Sequence, residues 1–382
     1  MPVNADSRYK LGNPQLKDLI LDGTKIHWHL DRVRAWERGE RIAPITIDMA
    51  LTRACNYGCG FCYAKLQENE RSSITREAIF NFLEDCAEIG VRAISFVSDG
   101  ESTISPVFVD AVKKGHELGL SMAVGTNALV LTRSKLEEIL PCLTYLRVNF
   151  SAGEPKRYAE IMGVPEKWFF QVCQNISDMM DIKKKNSLAV TVGMQMVLMP
   201  QDGDQIIPLA RLGKKLRPDY VIIKHCTDNE EGALGVNYDG YKDLYATLRE
   251  AEAYSDDDFV VKVKWSKIQQ EGTRNYQRCY GAPFMLQMSG SGLVAPCGAL
   301  FNEQYKKFHI GNITEMRFKD IWNSDKYWEV MNYLASPQFN AQTMCASLCL
   351  QHNVNETLDA YVKGKIEFNP PSGNPPAHIN FV

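Results

Sequence analysis

Between residues 45 and 224, six short apolar runs alternate with longer segments of helical periodicity, and that alternation limits the fold more than any other feature. The strand-like runs are 45–51, 92–97, 121–124, 145–150, 189–198 and 220–224. The amphipathic segments between them are 75–89, 106–118, 133–140, 167–185 and 204–216, with Thr75 placed as an N-cap. Strands that reach the next strand through a helix run parallel, joined by right-handed crossovers. The class is therefore α/β. Periodicity alone leaves an open sheet and a curved barrel equally available.

The end of the first run carries Cys55, Cys59, Cys62 and Tyr63, with three and then two residues between the thiols. Tetrahedral zinc or an ordinary four-iron cluster takes four protein ligands, and this loop offers three. One metal position is left open, which suggests chemistry at the metal. Gly58 and Gly60 let the loop wrap closely. A zinc knuckle or three core cysteines are the plain alternatives.

The CxxxCxxC spacing resembles the radical S-adenosylmethionine (SAM) superfamily. That resemblance implies a partial (β/α)6 TIM-like barrel with the cluster loop after its first strand. It implies a [4Fe-4S] cluster whose unligated iron chelates the amino and carboxylate groups of SAM, fed by an external electron donor such as flavodoxin or ferredoxin. The family's chemistry is a 5′-deoxyadenosyl radical that takes a hydrogen atom from substrate. In such barrels ligands sit at the C-terminal ends of the strands.

Those ends carry the expected SAM residues. Gly100 and Glu101 resemble the family's Gly-Gly-Glu segment, with Glu101 facing the SAM amino group and Asp99 departing from the usual glycine. Thr126 and Asn127 end the third run and Ser151 follows the fourth; they resemble segments lining the SAM ribose and carboxylate. Tyr63 resembles the family's aromatic beside adenine. The sixth run ends in Lys224, His225, Cys226, Thr227 and Asp228, an ionisable cluster expected to face substrate. There Lys224 or His225 is a candidate proton acceptor and Cys226 a candidate hydrogen-atom donor. Free cysteine is also a common core residue, as expected for Cys86, Cys142 and Cys173.

A second thiol set follows. Cys279, Gly292 and Cys297 open it, and Cys345 and Cys349 complete it. The pattern resembles the auxiliary-cluster extensions called SPASM and twitch domains, and implies a smaller C-terminal α+β domain. Four thiols suffice for one auxiliary [4Fe-4S] cluster, the twitch-like arrangement. A four-cysteine zinc ribbon is the alternative. Residues 283–288 and 293–295, joined by Ser-Gly-Ser-Gly, form a β-hairpin pattern that brings Cys279 and Cys297 together.

The expected organisation is an N-terminal cap segment over 1–43, a radical SAM core over 44–236, and a helix and strand over 237–278 leading off the barrel. The SPASM/twitch-like domain then spans 279–364, and a Pro-rich tail over 365–382 docks back on the body. His27, His29 and His378 are expected to serve packing or surface roles more than substrate contact.

Lys, Arg, Asp and Glu are interspersed at a net charge of −3, so no nucleic acid or anionic membrane partner is expected. The first residues lack a signal-peptide core and no apolar run reaches spanning length, which makes a cytoplasmic location the expectation. Eleven cysteines in that setting favour metal ligation over disulfides.

The resemblance to twitch-type dehydrogenases implies oxidation or epimerisation of a carbohydrate- or aminocyclitol-like small molecule. Modification of a ribosomally made peptide is the alternative, disfavoured by the short segment before Cys55. A non-catalytic, metal-bound scaffold or sensor is the alternative of another class.

Overall fold

The computed structural model describes residues 19–21, 23–69, 72–347 and 349–382, so the expectations placed on residues 1–18 lie outside it. In chain order the strands are β1 (Thr46–Met49), β2 (Ala93–Phe96), β3 (Ser121–Thr126), β4 (Leu143–Asn149), β5 (Thr191–Leu198), β6 (Tyr220–His225), β7 (Val260–Val263), β8 (Met285–Met288), β9 (Leu293–Ala295) and β10 (Gly311–Asn312). All belong to one sheet in the order β10-β9-β8-β1-β2-β3-β4-β5-β6-β7. Each of β1 to β7 is parallel to its neighbours and β8 is parallel to β1, so eight parallel strands lie side by side. β9 and β10 continue the sheet antiparallel.

The helices of the alternating region are α1 (Leu30–Glu37), α2 (Arg76–Ile89), α3 (Phe108–Glu117), α4 (Arg133–Ile139), α5 (Pro155–Met162), α6 (Lys167–Lys185) and α7 (Ile206–Leu216). Thr75 caps α2 as expected, its hydroxyl accepting from the Ala78 amide. The later helices are α8 (Tyr245–Glu252), α9 (Trp265–Ile268), α10 (Phe318–Asn323), α11 (Asp325–Ala335) and α12 (His352–Val362).

Strand alternation sorts side chains onto two faces. Ile47, Ile94, Val124, Val148, Met194 and Ile223 join the helices in the main apolar core. The residues between them, Asp48, Ser95, Arg147, Asn149, Gln195 and Lys224, take the inner face. Gly125 and Gly193 flank Arg147 on the neighbouring strands; a Cβ on Gly125 would meet Val97 at 2.5 Å and one on Gly193 the Tyr220 ring at 2.2 Å.

One sequence expectation is corrected here. Residues 237–278 do not lead away from the sheet, because β7 pairs in parallel with β6 and widens it. The β8–β9 hairpin is present as expected, and β8 also continues the sheet beyond β1.

A buried ion pair seats this hairpin. Arg53 Nε lies 3.0 Å from Asp99 Oδ2, their side chains 5% and 1% exposed. Asp99 also accepts from Ser289 Oγ at 2.5 Å and from the Gly290 amide at 2.8 Å. The backbone at Thr52 is approached from both sides: a Cβ on Gly100 would meet Thr52 O at 1.9 Å, and one on Gly290 would meet Thr52 C at 2.2 Å. Neither position has space for a side chain.

At the N-terminal ends of the strands, the segment 377–382 closes the inner face, in line with the expected docking. Thr46 Oγ1 donates to Asn380 O at 2.6 Å, and Asn380 Nδ2 donates to Ser121 Oγ at 3.0 Å. His378 Nε2 lies 2.9 Å from Thr191 Oγ1, and Lys25 Nζ donates to His378 O at 3.1 Å. His29 is 1% exposed, with Nε2 2.9 Å from Ile379 O and Nδ1 2.5 Å from Arg92 Nη1. Burial holds its pKa down at about 4, so the neutral ring donates from Nε2 and accepts at Nδ1. His29 is thus a base clamp, at the opposite end of β1 from the cysteine loop. Phe381 packs with Ala93, Ala123 and Tyr145. Phe381→Ala is expected to cost about 3 kcal/mol of stability, read as a lowered denaturant midpoint.

Candidate metal centres and active site

The first thiol loop leaves β1 and folds against the end of α5. Gly58 N donates to Met162 O at 3.2 Å and Gly60 N to Ile161 O at 3.0 Å. Gly163, at φ +64°, has no room for a Cβ, which would meet Gly58 O at 2.5 Å. Arg53 ties the far side of the loop through Asn69 O, and through Gln67 O at 3.1 Å. Cys55 is exposed; Cys59 and Cys62 are half-buried. Burial and the neighbouring Cys62 and Cys55 push the Cys59 thiol up to about 12, so metal binding there must displace protons.

Glu101 lies buried beside this loop. Its Oε1 accepts from Thr103 N at 3.1 Å, Thr103 Oγ1 at 2.6 Å and Thr126 Oγ1 at 2.8 Å; Oε2 accepts from Asn127 N at 2.7 Å. Unused acceptor capacity is therefore on Oε2. Burial raises the Glu101 pKa, and its charge acts on Cys55. Asn127 Nδ2 donates to Asn56 Oδ1 at 2.7 Å, linking the third strand end to the thiol loop. Gly100 is the close approach already described. The Ser151 hydroxyl accepts from Val197 N at 3.2 Å, which fixes it between β4 and β5.

Tyr63 stands between the two thiol sets. Burial raises its pKa first, and the charges that add to the effect belong to Cys297, Glu230, Cys345 and Asp228. Around it the loop is latched to the second set. Gln67 Nε2 donates to Gly298 O at 2.7 Å, and Asn302 takes Leu66 O at 3.0 Å and Glu68 N at 3.0 Å.

The residues ending β6 part company. Lys224 is on the inner face, its pKa pushed down to about 8 by burial, then by Arg147 and Lys267, against the opposing pull of Cys226 and Asp48. Asp48 across the face is pushed up to about 7 by burial, with Arg147 foremost among the groups opposing the rise. His225 is on the opposite face of the strand, its ring centroid 6.5 Å from that of Tyr238. Cys226 is 1% exposed and its thiol lies 3.7 Å from Phe61 O, against the first thiol loop. Asp228 turns away and accepts from the amides of Asn229, Leu234 and Val236, organising its own loop.

Cys279, Cys297, Cys345 and Cys349 line one cavity together with Arg274, Tyr276, Leu300 and Phe339. Among the described residues, no group of three or more His, Cys, Asp or Glu is placed to hold a single metal ion. A four-iron cluster asks instead that each thiolate bind its own iron, and four thiols around an apolar cavity fit that demand. The first loop fits a cluster with one iron left for another ligand. Sequence reasoning missed Arg53, Asp48, Arg147, Arg274 and Lys267, since a lone charged residue in a strand, a loop or a one-turn helix carries no motif. For Asp99 the departure from glycine was a visible signal.

Residues 49–212 match the radical SAM superfamily, and residues 279–350 match SPASM, an iron–sulfur cluster-binding domain. A tungsten-containing aldehyde ferredoxin oxidoreductase cofactor-modifying protein from Pyrococcus furiosus is 21% identical over 73% of this chain and 81% of its own length. An AdoMet-dependent heme synthase from Methanosarcina barkeri is 23% identical over 78% and 86%. A PqqA peptide cyclase from Bradyrhizobium diazoefficiens is 28% identical over 29% and 30%. Among solved structures, Streptococcus suis SuiB bound to S-adenosylmethionine superposes with a TM-score of 0.61 at 16% identity, covering 79% of this chain and 71% of that one. Identity that low speaks for the fold. The matched domains imply a [4Fe-4S] cluster, SAM and auxiliary iron–sulfur. Among the described residues no helix is long and apolar enough to cross a membrane.

Proposed function

Since this chain is a radical SAM enzyme with a C-terminal SPASM domain, we propose that it oxidises or epimerises a carbohydrate- or aminocyclitol-like small molecule on the inner face of its sheet. The observation that carries the reading is that face itself, where Asp48, Ser95, Asn149, Gln195 and Lys224 offer donors and acceptors suited to hydroxyl and amino groups. When bound, SAM and the first cluster would supply the hydrogen-abstracting radical chemistry, and the second cluster would supply an electron acceptor for an oxidation. Cys55, Cys59 and Cys62 hold the first cluster, fed by a flavodoxin or ferredoxin; Cys279, Cys297, Cys345 and Cys349 hold the second. Gly100, Glu101, Thr126, Asn127, Ser151 and Tyr63 position SAM. Glu101 Oε2 takes the amino group.

Lys224 Nζ accepts the proton of the substrate hydroxyl, a role that needs the neutral amine. Oxidation is therefore expected to speed up as pH rises through about 8. In Lys224→Met that limb of the profile disappears and turnover falls about 100-fold. An unchanged pH profile in the variant removes the role. Cys226 is the hydrogen-atom donor if the outcome is epimerisation, and the outward-facing His225 leaves Lys224 as the proton acceptor. Cys226→Ala is then expected to form 5′-deoxyadenosine normally while losing the inverted product.

Modification of a ribosomally made peptide is the second reading, and relatives named for peptide and non-peptide work support both equally. Anaerobic reconstitution with an iron count, then 5′-deoxyadenosine assays with sugars, aminocyclitols and peptides in parallel, tests the proposal. Stimulation by peptide alone replaces it with the second reading. Zinc in place of iron with no SAM cleavage ends both in favour of a scaffold.

A further inference from the structure

Two buried cations grip the segment that carries Cys345 and Cys349. Arg274, 8% exposed, donates through Nη1 to Ala341 O at 2.7 Å and through Nη2 to Ser347 O, one carbonyl on each side of Cys345. Its guanidinium lines the four-thiol cavity, where it interacts with Cys349 and Cys345. Lys267, 6% exposed, donates from Nζ to Cys349 O at 2.7 Å. A neutral donor faces the other side, where Asn355 Nδ2 lies 3.6 Å from Cys279 Sγ with its carbonyl fixed by Gly281 N at 2.8 Å. The opposing charges are Glu230, which acts on Cys345, and Glu356, which is partly exposed and bonded to Asn275.

The first thiol set has other company. Cys55 is exposed and feels the Glu101 carboxylate; of the cations beside the loop, Lys65 is itself exposed, and the Arg53 side chain is buried but has its charge matched by Asp99 at 3.0 Å.

An iron–sulfur cluster's potential follows its net charge, the hydrogen bonds to its sulfurs and its exposure to solvent. A four-thiolate cluster gains negative charge on reduction, so burial alone makes reduction harder. A buried cation beside the thiolates works the other way, and its field is screened little in a low-dielectric site. We propose that Arg274 and Lys267 set the auxiliary cluster's reduction potential above that of the SAM-binding cluster, making it the electron acceptor of the pair. This rests on the two-cluster reading above. Both are positioning residues, acting through the cluster's charge state.

The test is an EPR-monitored redox titration of the reconstituted full-length protein. The auxiliary cluster is expected to titrate at the higher potential; the reverse order overturns the proposal. In a full-length Cys55→Ala/Cys59→Ala/Cys62→Ala background, where the second set alone holds iron, Arg274→Met and Lys267→Met are each expected to disfavour reduction at least tenfold. For a one-electron couple that is a shift of about 59 mV. Arg274→Lys, which keeps the charge, is expected to restore most of it. Methionine variants with full iron content and unshifted potentials overturn the proposal. If Arg274→Met loses its iron, Lys267→Met decides. Loss of iron from both overturns it too, because the cations then serve assembly alone. Zinc in the unmutated second set defeats the two-cluster reading instead.

Discussion

Asp99→Ala is expected to lower the free energy of unfolding by about 3–5 kcal/mol, the usual cost of leaving one partner of a buried ion pair alone. Here the stranded group is Arg53, its side chain 5% exposed. The substitution also removes the acceptor for Ser289 Oγ and Gly290 N, the contacts that hold the β8–β9 turn. Because Cys297 lies just beyond β9, iron retention at the second set is expected to fall with stability. The measurement is a denaturant midpoint at unchanged m-value, alongside an iron count. Replacing both partners, as in Arg53→Met with Asp99→Leu, is expected to recover much of the loss, since no unpaired charge remains. A single variant as stable as the parent would show that the pair contributes little.

Cys59→Ala is expected to abolish 5′-deoxyadenosine formation and to reduce reconstituted iron from about eight atoms per chain to about four, since one of two four-iron clusters is lost. Cys279→Ala is expected to show the complementary behaviour, with about four irons retained and SAM still cleaved. Full 5′-deoxyadenosine production by Cys59→Ala would remove the first cluster from the chemistry.

What could be anticipated from the residues was local. Six parallel strands, their helices and the Thr75 cap follow from periodicity and from one side chain's bond to a nearby amide. Both thiol sets were legible because ligand spacing is compressed into short loops or flagged by glycine. The pairing of β8 with β1 was not, since Thr46 and Met285 meet with no local signal in either stretch. The alternation of β4 marks Arg147 as inward-facing, but a single charge inside an otherwise apolar run carries no signal of its partners. The grouping of Lys224 with His225 overlooked the same alternation, which turns neighbours to opposite faces. Asp99 was noticed as an oddity against the family pattern; its reason, Arg53 and a hairpin nearly two hundred residues away, required the fold.

The base of the sheet has a consequence for how the molecule is born. The Thr46 hydroxyl waits for the Val382 amide 336 residues downstream. Until that stretch has left the ribosome, the mouth beneath Arg147 and Asp48 lacks its plug, although neighbouring strands already hold one another there through bonds such as Ala93 N to Ile45 O and Ser121 N to Arg92 O. Contacts of such long sequence separation form late and slowly. Maturation with iron and sulfide would then meet a nascent chain whose two thiol loops arise at different times but whose interior seals afterwards.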